Sequence, residues 1–225
     1  MWSVAAVGAF ADVAGPNWEP EIQKMEARDK ANPPAVGETV FAGSSSIRLW
    51  KLEESFPGLK AANEGFGGST ISECTKYAPR LVLPWKPKRV VFYAGDNDLK
   101  GRGASQPGLS PEQVAEDFKA YAAVIHGALP ECEVIFLPIK PSPSRWDLKP
   151  KQDVANRLIR EWIEAQNKAV AETKKPARLR YVDTVPGLLG ADGKPDPALF
   201  QPDMLHLKPV GYARWAALLK PILQP

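Results

Sequence analysis

The sequence predicts an α/β fold: a five-stranded parallel sheet between two helical layers, in three layers α/β/α. Three observations lead there. Short β-branched and aromatic runs alternate along the chain with segments of helical period, the pattern of strand–helix–strand units. The run Arg89-Val90-Val91-Phe92-Tyr93-Ala94 is continuously apolar after its first residue, as a strand buried on both faces requires. Strand-like runs also end in glycine-containing loops, at Gly43, at Gly65 to Gly68 and at Gly95, which suit sharp turns from strand to helix.

Taken in order, Trp18 to Lys30 carries Trp18, Ile22 and Met25 on one helical face. The first strand spans Glu38 to Ala42 and enters the Gly43 turn, and a helix is expected from Ile47 to Glu54. Leu59 to Asn63 reads as the second strand, followed by the loop Asn63-Glu64-Gly65-Phe66-Gly67-Gly68-Ser69-Thr70 and a helix Ile71 to Leu83 that Pro79 kinks or interrupts. After the third strand, Arg89 to Ala94, a loop over Leu99 to Ser110 leads to Pro111, a favourable first helical residue. That helix presents Val114, Phe118, Tyr121, Ala122, Ile125 and Leu129 on one side. The fourth strand is Glu133 to Pro138, and the loop Pro141 to Pro150 precedes a helix marked by Val154, Leu158, Ile159, Trp162, Ile163 and Val170. Leu179 to Val185 is the fifth strand and Val210 to Leu223 the closing helix. Right-handed crossovers restrict the topology, and ligands of such sheets bind beyond the carboxyl ends of the strands. The loops holding Gly43, Gly68 and Asn97 all fall at that rim.

Composition sets limits. A chain of 225 residues with 44% hydrophobic and 24% charged residues can bury a full core, and no shift in composition divides it, so residues 18–225 read as one domain. The net charge of +3 is small and its cations are dispersed, so nucleic acid is not implied. Cys74 and Cys132 lack any metal or redox spacing and read as buried free thiols, and two histidines are too few for a histidine-based metal cluster. No cofactor or metal is expected. No apolar run approaches the roughly 18 residues of a spanning helix. Residues 1–17 read as a flexible segment or signal remnant; the stretch is apolar but has no basic start. A secreted or periplasmic location follows if it is a remnant, a cytoplasmic one otherwise.

Chemistry is concentrated at the rim loops. In Thr39-Val40-Phe41-Ala42-Gly43-Ser44-Ser45-Ser46 a strand turns at glycine into a helix start, where helix amides favour developing negative charge. Taken alone, any of the three serines reads as a helix cap. Of the two histidines, His126 sits late in an amphipathic helix, whereas His206 lies in a polar loop three residues after Asp203. That spacing brings carboxylate and imidazole to one side of a turn, where the acid fixes the tautomer and leaves the other nitrogen for a serine proton. Seen by itself, a D-x-x-H is better read as a chance surface pair. Gly68 offers an unobstructed N–H and Asn97 a side-chain amide, either of which is also an ordinary turn residue. Gly65-Phe66-Gly67 begins like a dinucleotide fingerprint but has Thr70 at the third glycine position, and Asp96 to Asp98 lacks the twelve-residue calcium loop.

Together, Gly43-Ser44-Ser45, Asn63 with Gly67-Gly68-Ser69, Gly95-Asp96-Asn97-Asp98 and Asp203-Met204-Leu205-His206 resemble, in order, the four blocks of the SGNH (GDSL-type) hydrolases. The likeness runs from about Thr39 to Tyr212 and looks closest to the platelet-activating-factor acetylhydrolase-like branch and related bacterial esterases. It implies a flavodoxin-like sheet, a nucleophile at Ser45, a supporting pair Asp203 and His206, and oxyanion donors from the Ser45 amide, Gly68 and Asn97. One departure is Ser44, where the family has an acid. The expected activity is hydrolysis of short-chain acyl esters, acetyl on a carbohydrate among them, of a small-molecule substrate. Thioester or lysophospholipid hydrolysis by the same residues, or an inactive binding module, are the alternatives. Ser44, Arg145 and Trp146 are candidate substrate contacts, with Lys100 and Arg102 at the mouth; Trp146 suits a sugar or aryl group and Arg145 an anionic one. Solvated loop cations and a core-covering tryptophan account for them equally well. Oligomeric state is not legible.

Overall fold

The computed structural model describes residues 16–172 and 177–224. Most of the N-terminal segment, residues 1–15, lies outside the described residues, so the reading given to it above has no structural counterpart here.

Five strands, β1 (Thr39–Gly43), β2 (Ala61–Gly65), β3 (Arg89–Tyr93), β4 (Glu133–Phe136) and β5 (Leu179–Tyr181), form one parallel sheet in the order β2-β1-β3-β4-β5. This is the flavodoxin-like order. Side chains alternate across the sheet and so build two cores. Val40, Ala42, Val90, Phe92, Val134 and Phe136 face a layer made by α1 (Glu19–Ala31), α4 (Ile71–Leu81), α6 (Pro111–Ala128) and α7 (Lys149–Ala171). Phe41, Val91, Tyr93 and Ile135 face the other way, against Trp50, Phe56 and the α8 (Pro209–Leu223) residues Tyr212, Trp215 and Leu219. Each large apolar side chain so buried contributes roughly 1.5 to 3 kcal/mol.

The register matters most for function. Gly43 pairs with Gly65 on one side and with Tyr93 on the other. The three strands therefore end level, and the loops that follow them emerge side by side.

Local differences from the sequence expectations have identifiable causes. The helix expected over Ile47 to Glu54 is two short helices, α2 (Ser45–Arg48) and α3 (Leu52–Ser55). Between them Trp50 turns into the core, 2% exposed, and its indole N–H donates to Ser55 Oγ at 2.8 Å. Strand β2 begins two residues later than expected and takes in Glu64, whose buried carboxylate is held 2.6 Å from Arg28 Nη2 on α1. Pro79 sits inside α4, which ends two residues further on at Leu81. A short helix, α5 (Asp96–Lys100), follows β3 where only a loop was expected. Residues 143–148 form a 3₁₀ segment, and α7 starts at Lys149 with Pro150 in its first turn, where the missing N–H costs no helical bond. Strand β5 is only three residues long. Cys74 and Cys132 are free and buried.

Candidate active site

Strand β1 ends at a glycine for steric reasons. Gly43 has φ +138°, and a Cβ there would lie 1.9 Å from the Tyr93 carbonyl oxygen. The Ser44 N–H donates to that same oxygen at 2.9 Å, so the chain passes directly from the ladder into α2 with Ser45 as its first residue. A four-residue helix cannot hold itself. Asn63, on β2, supports it: Nδ2 donates to the carbonyls of Ile47 (2.7 Å) and Trp50 (3.0 Å), while Oδ1 accepts from the Gly65 N–H at 3.1 Å. The Tyr212 hydroxyl adds a bond to the Ser46 carbonyl at 2.8 Å.

Ser45 Oγ lies 2.9 Å from His206 Nε2, across 161 positions of sequence. His206 Nδ1 is 2.5 Å from Asp203 Oδ2, and the other oxygen, Oδ1, accepts the backbone N–H groups of Leu205 (2.9 Å) and His206 (3.0 Å). The turn closes through Met204 in the left-handed region, φ +55°. A carboxylate can only accept, so it calls for the proton on Nδ1, and Nε2 is then the acceptor facing the serine hydroxyl. Partial burial works against the Asp203 charge, but the His206 side chain and the two backbone donors outweigh it and hold the carboxyl down at about 2.

The Gly68 loop is stitched to the same rim. The Phe66 N–H donates to the Gly43 carbonyl at 3.0 Å, Ser69 Oγ to the Phe66 carbonyl at 3.0 Å, and Asn97 Nδ2 to the Ser69 carbonyl at 3.0 Å. Arg102 donates to the Gly68 carbonyl at 2.8 Å while clasping Glu73 at 2.7 and 2.9 Å. Neither the Ser45 nor the Gly68 N–H has an acceptor among the described residues.

The family model of the GDSL-like lipases and acylhydrolases matches residues 40–214. The chain belongs to the GDSL-like lipase/acylhydrolase family. It is an ester hydrolase. Solved structures share its fold. A Streptococcus pneumonia protein provisionally assigned as a platelet activating factor superposes with a TM-score of 0.68 at 18% identity, over 91% of this chain and 92% of that one. A GDSL-like lipase from Bacteroides thetaiotaomicron gives 0.65 at 17% identity, over 90% and 97%. A catalytic mutant of an acetylxylan esterase from Geobacillus stearothermophilus gives 0.63 at 14% identity, over 84% and 95%. No curated protein matches the chain.

In this GDSL-like hydrolase the remaining candidates separate. Ser44 is fully buried with its hydroxyl unpartnered among the described residues, so it does not reach a substrate, contrary to the sequence expectation; the strand ladder that positions Ser45 draws Ser44 inward. Trp146 is half-buried, with Lys149 Nζ 6.0 Å from its ring centre. Lys100 is exposed, whereas Arg102 is committed to Glu73 and Gly68. Arg145 is turned inward: Nη1 lies 3.1 Å from Asp96 Oδ2, and Nη2 donates to Asn97 Oδ1 at 3.0 Å. Beneath it, Lys140, 1% exposed, approaches Asp96 Oδ2 at 3.5 Å and donates to the Tyr93 hydroxyl at 3.1 Å. Burial disfavours the Asp96 charge, yet Lys140 and then Arg145 prevail and hold its carboxyl below the usual range. Sequence reasoning missed this network. Lys140 closes an apolar run with no period to mark it, and its partners lie dozens of residues away.

No helix among the described residues is long and apolar enough to cross a membrane. A cleft of about 480 Å³ opens beside the edge strand β2, between Arg28 and Glu53, and none of Ser45, Asp203 and His206 lines it.

Proposed function

We propose that Ser45 is the nucleophile of a short-chain ester hydrolysis that runs through an acyl-enzyme. His206 Nε2 takes the Ser45 proton as Oγ attacks the ester carbonyl, and Asp203 stabilises the imidazolium. The Ser45 and Gly68 N–H groups and the Asn97 amide receive the oxyanion, a contribution of roughly 3 to 4 kcal/mol to the barrier for each effective donor. His206 returns its proton to the departing alcohol. Water, activated by the same nitrogen, then cleaves the acyl-enzyme and frees Ser45.

The observation that carries this reading is the unbroken relay of Ser45 Oγ, His206 Nε2, His206 Nδ1 and Asp203 Oδ2, at 2.9 and 2.5 Å. The fold likeness to an acetylxylan esterase supports placing acetyl groups on carbohydrates first among trial substrates, with Trp146 as a surface for a sugar or aryl face. Covalent labelling by a fluorophosphonate, read by peptide mass spectrometry, tests the nucleophile. The adduct is expected on Ser45; an adduct elsewhere, or none in a preparation that hydrolyses esters, removes Ser45 from the mechanism.

A further inference from the structure

An oxyanion donor made from a side-chain amide has a problem that a backbone N–H does not. The Asn amide can rotate by half a turn and present oxygen where nitrogen is needed, which would repel the developing charge. Two neighbours prevent this at Asn97. Nδ2 donates to the Ser69 carbonyl at 3.0 Å, and Oδ1 accepts from Arg145 Nη2 at 3.0 Å. A carbonyl oxygen only accepts and a guanidinium only donates, so the reversed amide would set oxygen against oxygen and NH₂ against guanidinium. One Nδ2 hydrogen is used by Ser69. The other is left for the substrate.

Arg145 is itself held for that task. Its side chain is 14% exposed and ion-paired with Asp96, the residue next to Asn97 in sequence, while Lys140 steadies Asp96 from beneath. The backbone breaks helical geometry at Arg145 itself, φ −130° and ψ 30°, inside the 3₁₀ segment of residues 143–148. That segment is tied to the acid–base turn as well: the Ser144 N–H donates to the Met204 carbonyl at 3.0 Å. We infer that Arg145 is a positioning residue for ester hydrolysis, locking the Asn97 amide in the one orientation that aims an N–H at the oxyanion. The inference rests on the proposed Ser45 mechanism. It assigns Arg145 no contact with substrate.

The test is a double-mutant cycle on an uncharged aryl acetate, with Arg145→Gln, Asn97→Ala and the double variant, and Arg145→Lys as a second probe that keeps the charge. Asn97→Ala is expected to lower kcat by about 10² to 10³. Arg145→Gln is expected to lower kcat about tenfold or more with KM within about twofold, and the double variant to be no more than about twofold slower than Asn97→Ala, because the lever is useless without the amide it holds. Arg145→Lys should fall between wild type and Arg145→Gln. Losses that multiply, or, with an anionic aryl ester assayed in parallel, a KM defect confined to that ester with kcat intact, would overturn the inference and make Arg145 a structural or substrate-binding residue.

A second readout needs no turnover. In wild type the two Asn97 side-chain NH₂ protons, identified by their loss in Asn97→Ala, should resonate away from the positions of a solvated asparagine amide, and in Arg145→Gln both should shift towards those positions as the side chain turns about Cβ–Cγ. Unchanged resonances would count against the inference even where the kinetics were equivocal. Ester hydrolysis that survives Ser45→Ala would instead bring down the Ser45 mechanism, and the resonances would still report on Arg145.

Discussion

At the scale of single residues, the site depends on one hydroxyl. Ser45 is half-buried at the start of a helix whose remaining supports, from Asn63 and Tyr212, attach to other residues. Removing the hydroxyl should therefore leave packing intact. Ser45→Ala is expected to lower ester hydrolysis by on the order of 10⁴ or more. Its melting temperature should stay within about 2 °C of wild type. Residual turnover near the wild-type rate would remove Ser45 from the chemistry. Asp98 gives a prediction of a different kind. It accepts the Ile71 N–H at 2.9 Å through Oδ1, while Oδ2 is buried without a partner among the described residues. Burial, working against that bond, lifts its carboxyl from 3.8 to about 7. Between those values the folded chain keeps a proton that the unfolded chain has released, so this stability is present at low pH and is lost as pH rises to about 7. Asp98→Asn keeps the acceptor for Ile71 and does not titrate. Its melting temperature relative to wild type should climb from about pH 4 to about pH 8, and a constant difference would contradict the assignment. Ser45, Asp203 and His206 were legible together only through the resemblance of four ordered blocks to a hydrolase family; alone, Ser45 read as a helix cap, and Asp203 with His206 as a surface pair, although of the two histidines only His206 has an acid three residues before it. Arg145 was visible only as a candidate contact for an anionic group or as a loop cation, since its partners Asp96 and Asn97 come from a helix nearly 50 residues away.

Elements were legible where periodicity decided them and shifted where a single polar side chain did. The expected helices at Trp18 to Lys30, from Pro111 and at Val210 to Leu223 lie within one or two residues of α1, α6 and α8, because each presents apolar residues at helical spacing to the core. The second strand was misplaced because Glu64 looks like a loop residue until Arg28 is brought beside it. The helix after Ser45 was drawn too long for a related reason. Its end is set by Asn63, which draws off the carbonyls of Ile47 and Trp50 from a neighbouring strand, and no local signal reveals that. Asn63 is therefore where strand and nucleophile helix are coupled. Asn63→Ala leaves two carbonyls and the Gly65 N–H to find other partners, and should cost about 1 to 3 kcal/mol of stability. For a chain of this size that is a fall of roughly 2 to 12 °C in melting temperature. Because α2 carries Ser45, fluorophosphonate labelling of the folded variant should also slow by more than tenfold. Labelling at the wild-type rate would show that β1 and Tyr212 suffice to hold the helix.

For the whole molecule, the alternation of strands and helices announced a parallel sheet, and the family resemblance implied its flavodoxin-like form. The level ending of β2, β1 and β3 came only with the register, and that is what gathers the loops of Ser45, Gly68 and Asn97 at one rim. Asp203 is exposed, and the exposed large apolar residues among those described, Val36, Met204, Val210 and Leu218, are four positions spread along the chain, of which only Met204 lies in the Asp203–His206 turn. Each methylene that a substrate buries is worth about 0.8 kcal/mol, close to a factor of four in transition-state binding. A site with a long apolar trough would thus favour octanoyl over acetyl esters by nearly 5 kcal/mol, on the order of several thousandfold, from the six extra carbons. Where no such trough exists the gain is absent, and the longer chain must be ordered at an entropic cost with little burial in return. On 4-nitrophenyl esters, kcat/KM should be highest for acetyl or propionyl groups and decline towards octanoyl. A profile that rises with chain length would mean that an apolar surface forms around the acyl chain on binding, and the short-chain assignment would have to be abandoned.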